Sequence, residues 1–168
     1  MTHAALVIPV PALEPLVRPR MRRALPAFVF PDPSATHAHV SLTASIPEDL
    51  LGPALIDELA TRFARVPACS FTFRPTLHRT PDGGSYLTPE PLDPLERLIA
   101  SLPGLPPPPH PPHLTIEYSW ARDPAPAGEQ DLEAFLPLTV RAERAELNWY
   151  ERQNCRTLAS FSFRDPRS

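Results

Sequence analysis

The run "PPHLTIEY", residues 111–118, alternates polar and apolar side chains behind a pair of prolines. Leu114 and Ile116 are apolar, and His113, Thr115 and Glu117 alternate with them. Successive side chains of a β-strand point to opposite faces, so this run predicts a half-buried strand with an imidazole and a hydroxyl on its open side. "HAHVSLTA", residues 37–44, repeats the pattern: His39, Ser41 and Thr43 oppose Val40 and Leu42. A third triplet, His78-Arg79-Thr80, has a charged middle residue and runs into the "PDGG" turn, so it is read as a coincidence.

Around these two runs the order of elements repeats. Residues 4–10 read as a buried strand, and 18–36 as irregular, broken by Pro19, Pro26, Pro31 and Pro33. After the first His strand, Ser45 and Glu48 suggest a capping box that opens a helix to about Val66, with Leu51, Leu55, Leu59, Phe63 and Val66 as its apolar stripe. "CSFTFRPTLHR" alternates as a strand, "TPDGG" turns it, "SYLTPE" returns beside it, and a helix follows over about 92–102. Seven of the ten residues from Pro103 to Pro112 are proline, a stiff connector. Then the order begins again: His strand 113–119, a short helix over 129–136, and the strands "LTVRAERAELNWYER" and "RTLASFSFR". Strand, helix, strand, strand twice over predicts an α+β fold of two similar lobes. Each lobe is an antiparallel sheet backed by helix, with a cleft between them.

Composition narrows the function. The 168 residues suit a single bilobal domain, 1–168. All 16 basic residues are arginine and the net charge is -3, which argues against a broad basic face gripping duplex nucleic acid. Cys69 and Cys155 are too few for a disulfide framework. The run "AALVIPV" is short, lacks a preceding basic segment and meets Pro9, so it reads as a strand and not as a signal or membrane span. A monomeric cytoplasmic protein that engages no membrane is the expectation.

If the polar sides of the two His strands face one cleft, it holds two imidazoles and two hydroxyls. Imidazoles suit phosphoryl chemistry because one can accept a proton while the other donates. Hydroxyls can donate to phosphate oxygens as charge builds there, and neither a metal nor another cofactor is required. Arg79 and Tyr86 flank the "TPDGG" turn, where a guanidinium could pair with phosphate and a ring could stack a base. His37 shares a face with His39 but reads as a solvated strand end. "RPRMRR" reads as solvated surface, and "PPPPHPP" as a spacer before the second His strand.

"AHVSLTA" and "PHLTIEY" resemble the paired His-x-Thr/Ser signatures of the 2H phosphoesterase superfamily, in its 2'-5' RNA ligase-like branch. "ALVIPVPALEPLVRPRMR" is similar to that branch's opening strand and helix, "YLTPEPLDPLERLIASL" to its middle, and "LNWYERQNCRTLASFSF" to its closing hairpin. Ser41 stands where threonine is commoner, and "TASIP" replaces an aromatic-containing run that often follows the first motif. The resemblance implies a bilobal α+β fold and a catalytic set of His39, Ser41, His113 and Thr115. It also implies hydrolysis of cyclic phosphodiesters or ligation of RNA ends, the substrate being an RNA end or a small cyclic nucleotide. Two readings compete with it: an idle descendant that binds nucleotides or a protein, and a hydrolase using the histidines as metal ligands.

Overall fold

The structure, a computed structural model, describes residues 2–81, 83–102, 104–118 and 129–164. In chain order the strands and helices are β1 (His3–Pro9), α1 (Glu14–Ala24), β2 (His39–Ser41), α2 (Pro53–Phe63), β3 (Cys69–Phe73), β4 (His78–Arg79) and β5 (Ser85–Leu87). They continue with β6 (Pro89–Glu90), α3 (Asp93–Ala100), β7 (Leu114–Glu117), α4 (Glu129–Glu133), β8 (Leu138–Ala142), β9 (Arg144–Tyr150) and β10 (Arg156–Ser162). The α+β class predicted from the sequence is the one observed.

Seven strands form an antiparallel sheet in the order β10-β9-β1-β2-β7-β5-β4, and β6-β3-β8 form a smaller sheet. Within the large sheet, the four strands ending in β2 meet the three beginning with β7 through a single residue pair, Val40 with Leu114. That seam joins two lobes, and each lobe takes strands from both halves of the sequence. β1 pairs with β9, and β5 with β7, so the chain's halves interlock instead of forming one lobe apiece.

Cross-strand partners share a face of the sheet, which lets the register sort the side chains. Leu6, Ile8, Val40, Leu42, Leu114 and Ile116 are fully or almost fully buried, and they join Leu13, Leu16 and Val17 beside α1 in the core. On the other face, pairs such as Pro9 with His39 and Tyr86 with Thr115 gather polar residues of both lobes.

Several local expectations are corrected. The segment from residue 18 is not irregular at its start, because α1 runs through Pro19 to Ala24. Pro15 sits in the first turn, where a missing N–H costs nothing, and burial of Leu16, Val17 and Met21 offsets the bond lost at Pro19. The helix after the first His strand starts at Pro53, not at the Ser45–Glu48 box. Gly52 precedes a proline and is therefore held extended, leaving only a 3-10 turn at Glu48–Leu50. "CSFTFRPTLHR" is two strands, since Pro75 lies between β3 of the small sheet and β4 of the large one. "SYLTPE" divides likewise into β5 and β6, and "LTVRAERAELNWYER" into β8 and β9. The first His strand shortens to three residues: Thr43 lies past its end, buried, accepting the Leu6 N–H at 3.0 Å. Ser119, predicted as the end of the second His strand, lies outside the described residues.

Candidate active site

The two His-x-Ser/Thr strands are neighbours. Val40 is opposite Leu114 in antiparallel register, and carrying that register one residue either way sets His39 toward Thr115 and Ser41 toward His113, which immediately precedes β7. The four side chains mark the corners of a quadrilateral on the polar face, imidazoles on one diagonal and hydroxyls on the other. Diagonal neighbours in such a ladder stand roughly 7–8 Å apart, room for a phosphate group between the two rings. All four residues are partly exposed, so the corners open to solvent.

The two imidazoles are held differently. His113 Nδ1 donates to the Pro111 carbonyl at 2.8 Å, which leaves Nε2 to the cleft. The stiff proline segment thereby sets the ring, and it is anchored in turn where the Ala44 N–H donates to the Pro106 carbonyl at 2.8 Å. His39 turns its Nδ1 inward, where no full hydrogen bond reaches it among the described residues. Burial is the chief influence on this ring and lowers its pKa to about 4. The nearby His37 carbonyl favours the proton, but too weakly to reverse that shift. His39 is therefore neutral at pH 7, with a lone pair available.

The strand carrying His39 is tied down by Glu14, a residue that no sequence motif marked. Its Oε1 accepts from His37 Nδ1 and from Arg18 Nε, both at 2.7 Å. Its Oε2 accepts the backbone N–H groups of His37 at 2.7 Å and Ala38 at 2.9 Å. Burial alone would raise this carboxyl, but the hydrogen bonds from His37, Ala38 and Arg18 outweigh it and hold the pKa at about 2. His37 Nε2 accepts the Phe30 N–H at 3.0 Å, so Nδ1 carries the hydrogen given to Glu14. His37 is thus a buried brace, neither a cleft residue nor a solvated strand end.

Tyr86 reaches the site. Its ring meets His113 edge-on at 5.2 Å and stacks on His78 at 5.2 Å. Arg79 is about half exposed, with Nη1 3.9 Å from Glu117 Oε2. Glu117 itself is buried, accepts from Ser85 Oγ at 2.9 Å and lies 4.0 Å from Arg20 Nε of α1. That carboxylate shares the His113 face, yet it is engaged by a hydroxyl and two guanidinium groups. On the far side Tyr150 lies 6.4 Å from His39 and stacks on His3. A separate groove of about 810 Å³ between α2 and α3 is lined by Arg62, Arg65, Cys69 and Arg97. None of the motif residues lines it, and size alone does not make it the reaction site.

The two shifts have a consequence for acid stability. His39 binds its proton more weakly folded than unfolded, so its shift leaves stability untouched above about pH 6.5 and lowers it as pH falls toward 4. Glu14, with a depressed folded pKa, loses its contribution between about 4.5 and 2. The His39 part is at most roughly 3 kcal/mol, reduced by whatever solvent reaches the ring. Urea unfolding should show His39→Phe losing less stability than wild type between pH 6.5 and 4.5; parallel losses would mean the ring is solvated.

Comparison with known proteins agrees with this fold. The family model described as the 2'-5' RNA ligase superfamily matches residues 9–154. Similar solved structures include E. coli LigT complexed with 3'-AMP, at 16% identity and TM-score 0.58, covering 96% of this chain and 98% of that one. TT0787 of Thermus thermophilus is 18% identical with TM-score 0.58, covering 98% and 99%. A protein described as a phosphoesterase is 17% identical with TM-score 0.56, covering 98% and 100%. At such identities these likenesses speak for the fold alone. No curated protein matches the sequence. The match along most of the chain, on a fold that brings its two His strands side by side, shows that the protein belongs to the 2'-5' RNA ligase superfamily of 2H phosphoesterases.

Proposed function

We propose that the protein is a metal-independent phosphoesterase acting on 2',3'-cyclic phosphates or 2'-5' phosphodiesters, at RNA ends or in small cyclic nucleotides, with residues 1–168 as one catalytic domain. The observation that carries this reading is the diagonal placement of His39 and His113 across the β2–β7 seam. Opening a cyclic phosphate requires a nucleophile in line with the departing ribose oxygen, so the proton acceptor and donor must flank the phosphorus. Diagonal imidazoles supply that arrangement. His39, kept neutral by burial, takes the proton from water, or from a 5'-hydroxyl in ligation. His113, braced through Nδ1, gives a proton from Nε2 to the leaving oxygen. The bound phosphate's negative charge favours protonation of His39, strengthening a base that burial has weakened. Ser41 and Thr115, on the other diagonal, donate to the non-bridging oxygens. Arg79 and Tyr86 sit where they would contact the rest of the substrate.

The hydroxyls give a graded test. Ser41→Ala and Thr115→Ala should fold as wild type and each lose about 10- to 100-fold in kcat, a partly exposed site giving less than the ~3 kcal/mol of a dry one. Unchanged kcat in both variants would assign the hydroxyls to structure. A panel of 2',3'-cyclic and 2'-5'-linked compounds, read by chromatography, tests the reaction class. Binding without turnover of any member would favour the idle binding module.

A further inference from the structure

His78 heads the triplet that its charged middle residue and adjoining turn mark as a coincidence, yet the fold brings it to the working face. It pairs with Tyr86 across the β4–β5 hairpin, and Tyr86 is paired in turn with Thr115. A register shift between Ser85 and Tyr86 lets both neighbours serve that face, Ser85 bonding Glu117 while Tyr86 meets His113. The result is a row of rings leading away from the reacting corner. His113 meets the edge of Tyr86 at 5.2 Å, and Tyr86 lies nearly parallel to His78 at 5.2 Å with 21° between planes. His78 is exposed at the outer end of the row, on the edge strand of the sheet.

We propose that the stacked His78–Tyr86 pair is a platform for a nucleobase next to the scissile nucleotide, so that the preferred substrate is an RNA end of two or more nucleotides. This rests on the two-histidine reading given above. Planar rings bind bases of any sequence through their faces, and a single stacked base contributes measurably to single-strand binding. The platform stands beyond His113, out of the quadrilateral that holds the phosphate. Arg79, the residue after His78, is about half exposed and lies 3.9 Å from Glu117, which places a guanidinium beside the platform where a backbone phosphate would pass. Rings with an adjacent cation form the combination that tracks a single strand.

The test compares two substrates and a binding ligand. Wild-type kcat/KM should be at least about fivefold higher for a dinucleotide ending in a 2',3'-cyclic phosphate than for the matching mononucleotide. His78→Ala should lower the dinucleotide value about 5- to 30-fold, and the mononucleotide value by no more than about twofold. His78→Tyr, which keeps a flat ring, should restore the preference. Equal losses on both substrates would mean that the platform holds the scissile nucleotide's own base, and no loss on either would mean that it holds none; both results overturn the proposal. Affinity for a 3'-phosphorylated dinucleotide, measured by calorimetry, separates this inference from the catalytic one. If no cyclic phosphate is turned over, weaker binding in His78→Ala with recovery in His78→Tyr still supports the platform, and unchanged binding overturns it.

Discussion

His39→Ala and His113→Ala are each expected to lose on the order of 100- to 10,000-fold in kcat on the best cyclic phosphate, while the protein stays folded. The double variant should lose little more than the worse single one. The two rings act on one transition state, and once either proton transfer fails the other has little left to assist. His39 is the more informative of the pair. Its Nδ1 makes no full hydrogen bond among the described residues, and its lowered pKa costs stability in acid, so the fold gains nothing evident from an imidazole there. His39→Ala should therefore inactivate with little destabilisation. Near-normal turnover by either single variant would refute the two-histidine mechanism.

Glu14→Ala is expected to be the most damaging substitution to the fold outside the hydrophobic core. It removes one acceptor group from four donors: Arg18 Nε, His37 Nδ1 and the backbone N–H groups of His37 and Ala38. His37 and Ala38 are buried, so water cannot readily replace the carboxylate. Stranding buried donors costs about 1–3 kcal/mol each, and partial relaxation brings the net loss to about 3 kcal/mol. Because His37 and Ala38 lead directly into β2, the same variant should also lower kcat by displacing His39. A urea unfolding curve and a single rate measurement check both parts. A loss under about 1 kcal/mol would mean that the segment holds its course without Glu14.

The arrangement of the candidate site was more legible in the sequence than the strand pairing around it. Alternation in "HVS" and "HLTIE" placed two imidazoles and two hydroxyls on the open side of two strands, because a period of two is a local property. Which strands are neighbours is not local. Nothing in the sequence order shows β1 choosing β9, or β2 lying beside β7, since those pairings are settled by burial across the whole core. Proline has no uniform effect: the apolar face of α1 outweighs Pro19, whereas Pro75 separates β3 from β4 and Pro53 sets the start of α2. Glu14 carried one weak signal, an acidic residue just before a proline at a helix start. Its partners lie 23 and 24 residues away, beyond any spacing rule. The sequence neighbours of His78 give no sign of its setting, and its place beside Tyr86 is visible only once β4 and β5 pair.

The pH dependence of kcat/KM for a 2',3'-cyclic nucleotide in excess chelator distinguishes two-histidine catalysis from metal-dependent hydrolysis. kcat/KM reports the free enzyme, in which His39 must be neutral to accept a proton, so the acid limb should fall as pH drops through about 4. The alkaline limb should fall as the histidine acting as acid loses its proton, giving a bell, with separate unfolding curves marking where the fold itself fails. Full activity in chelator with that bell is the result expected. Turnover abolished by the chelator, or a rate that rises steadily with pH, would contradict the two-histidine account.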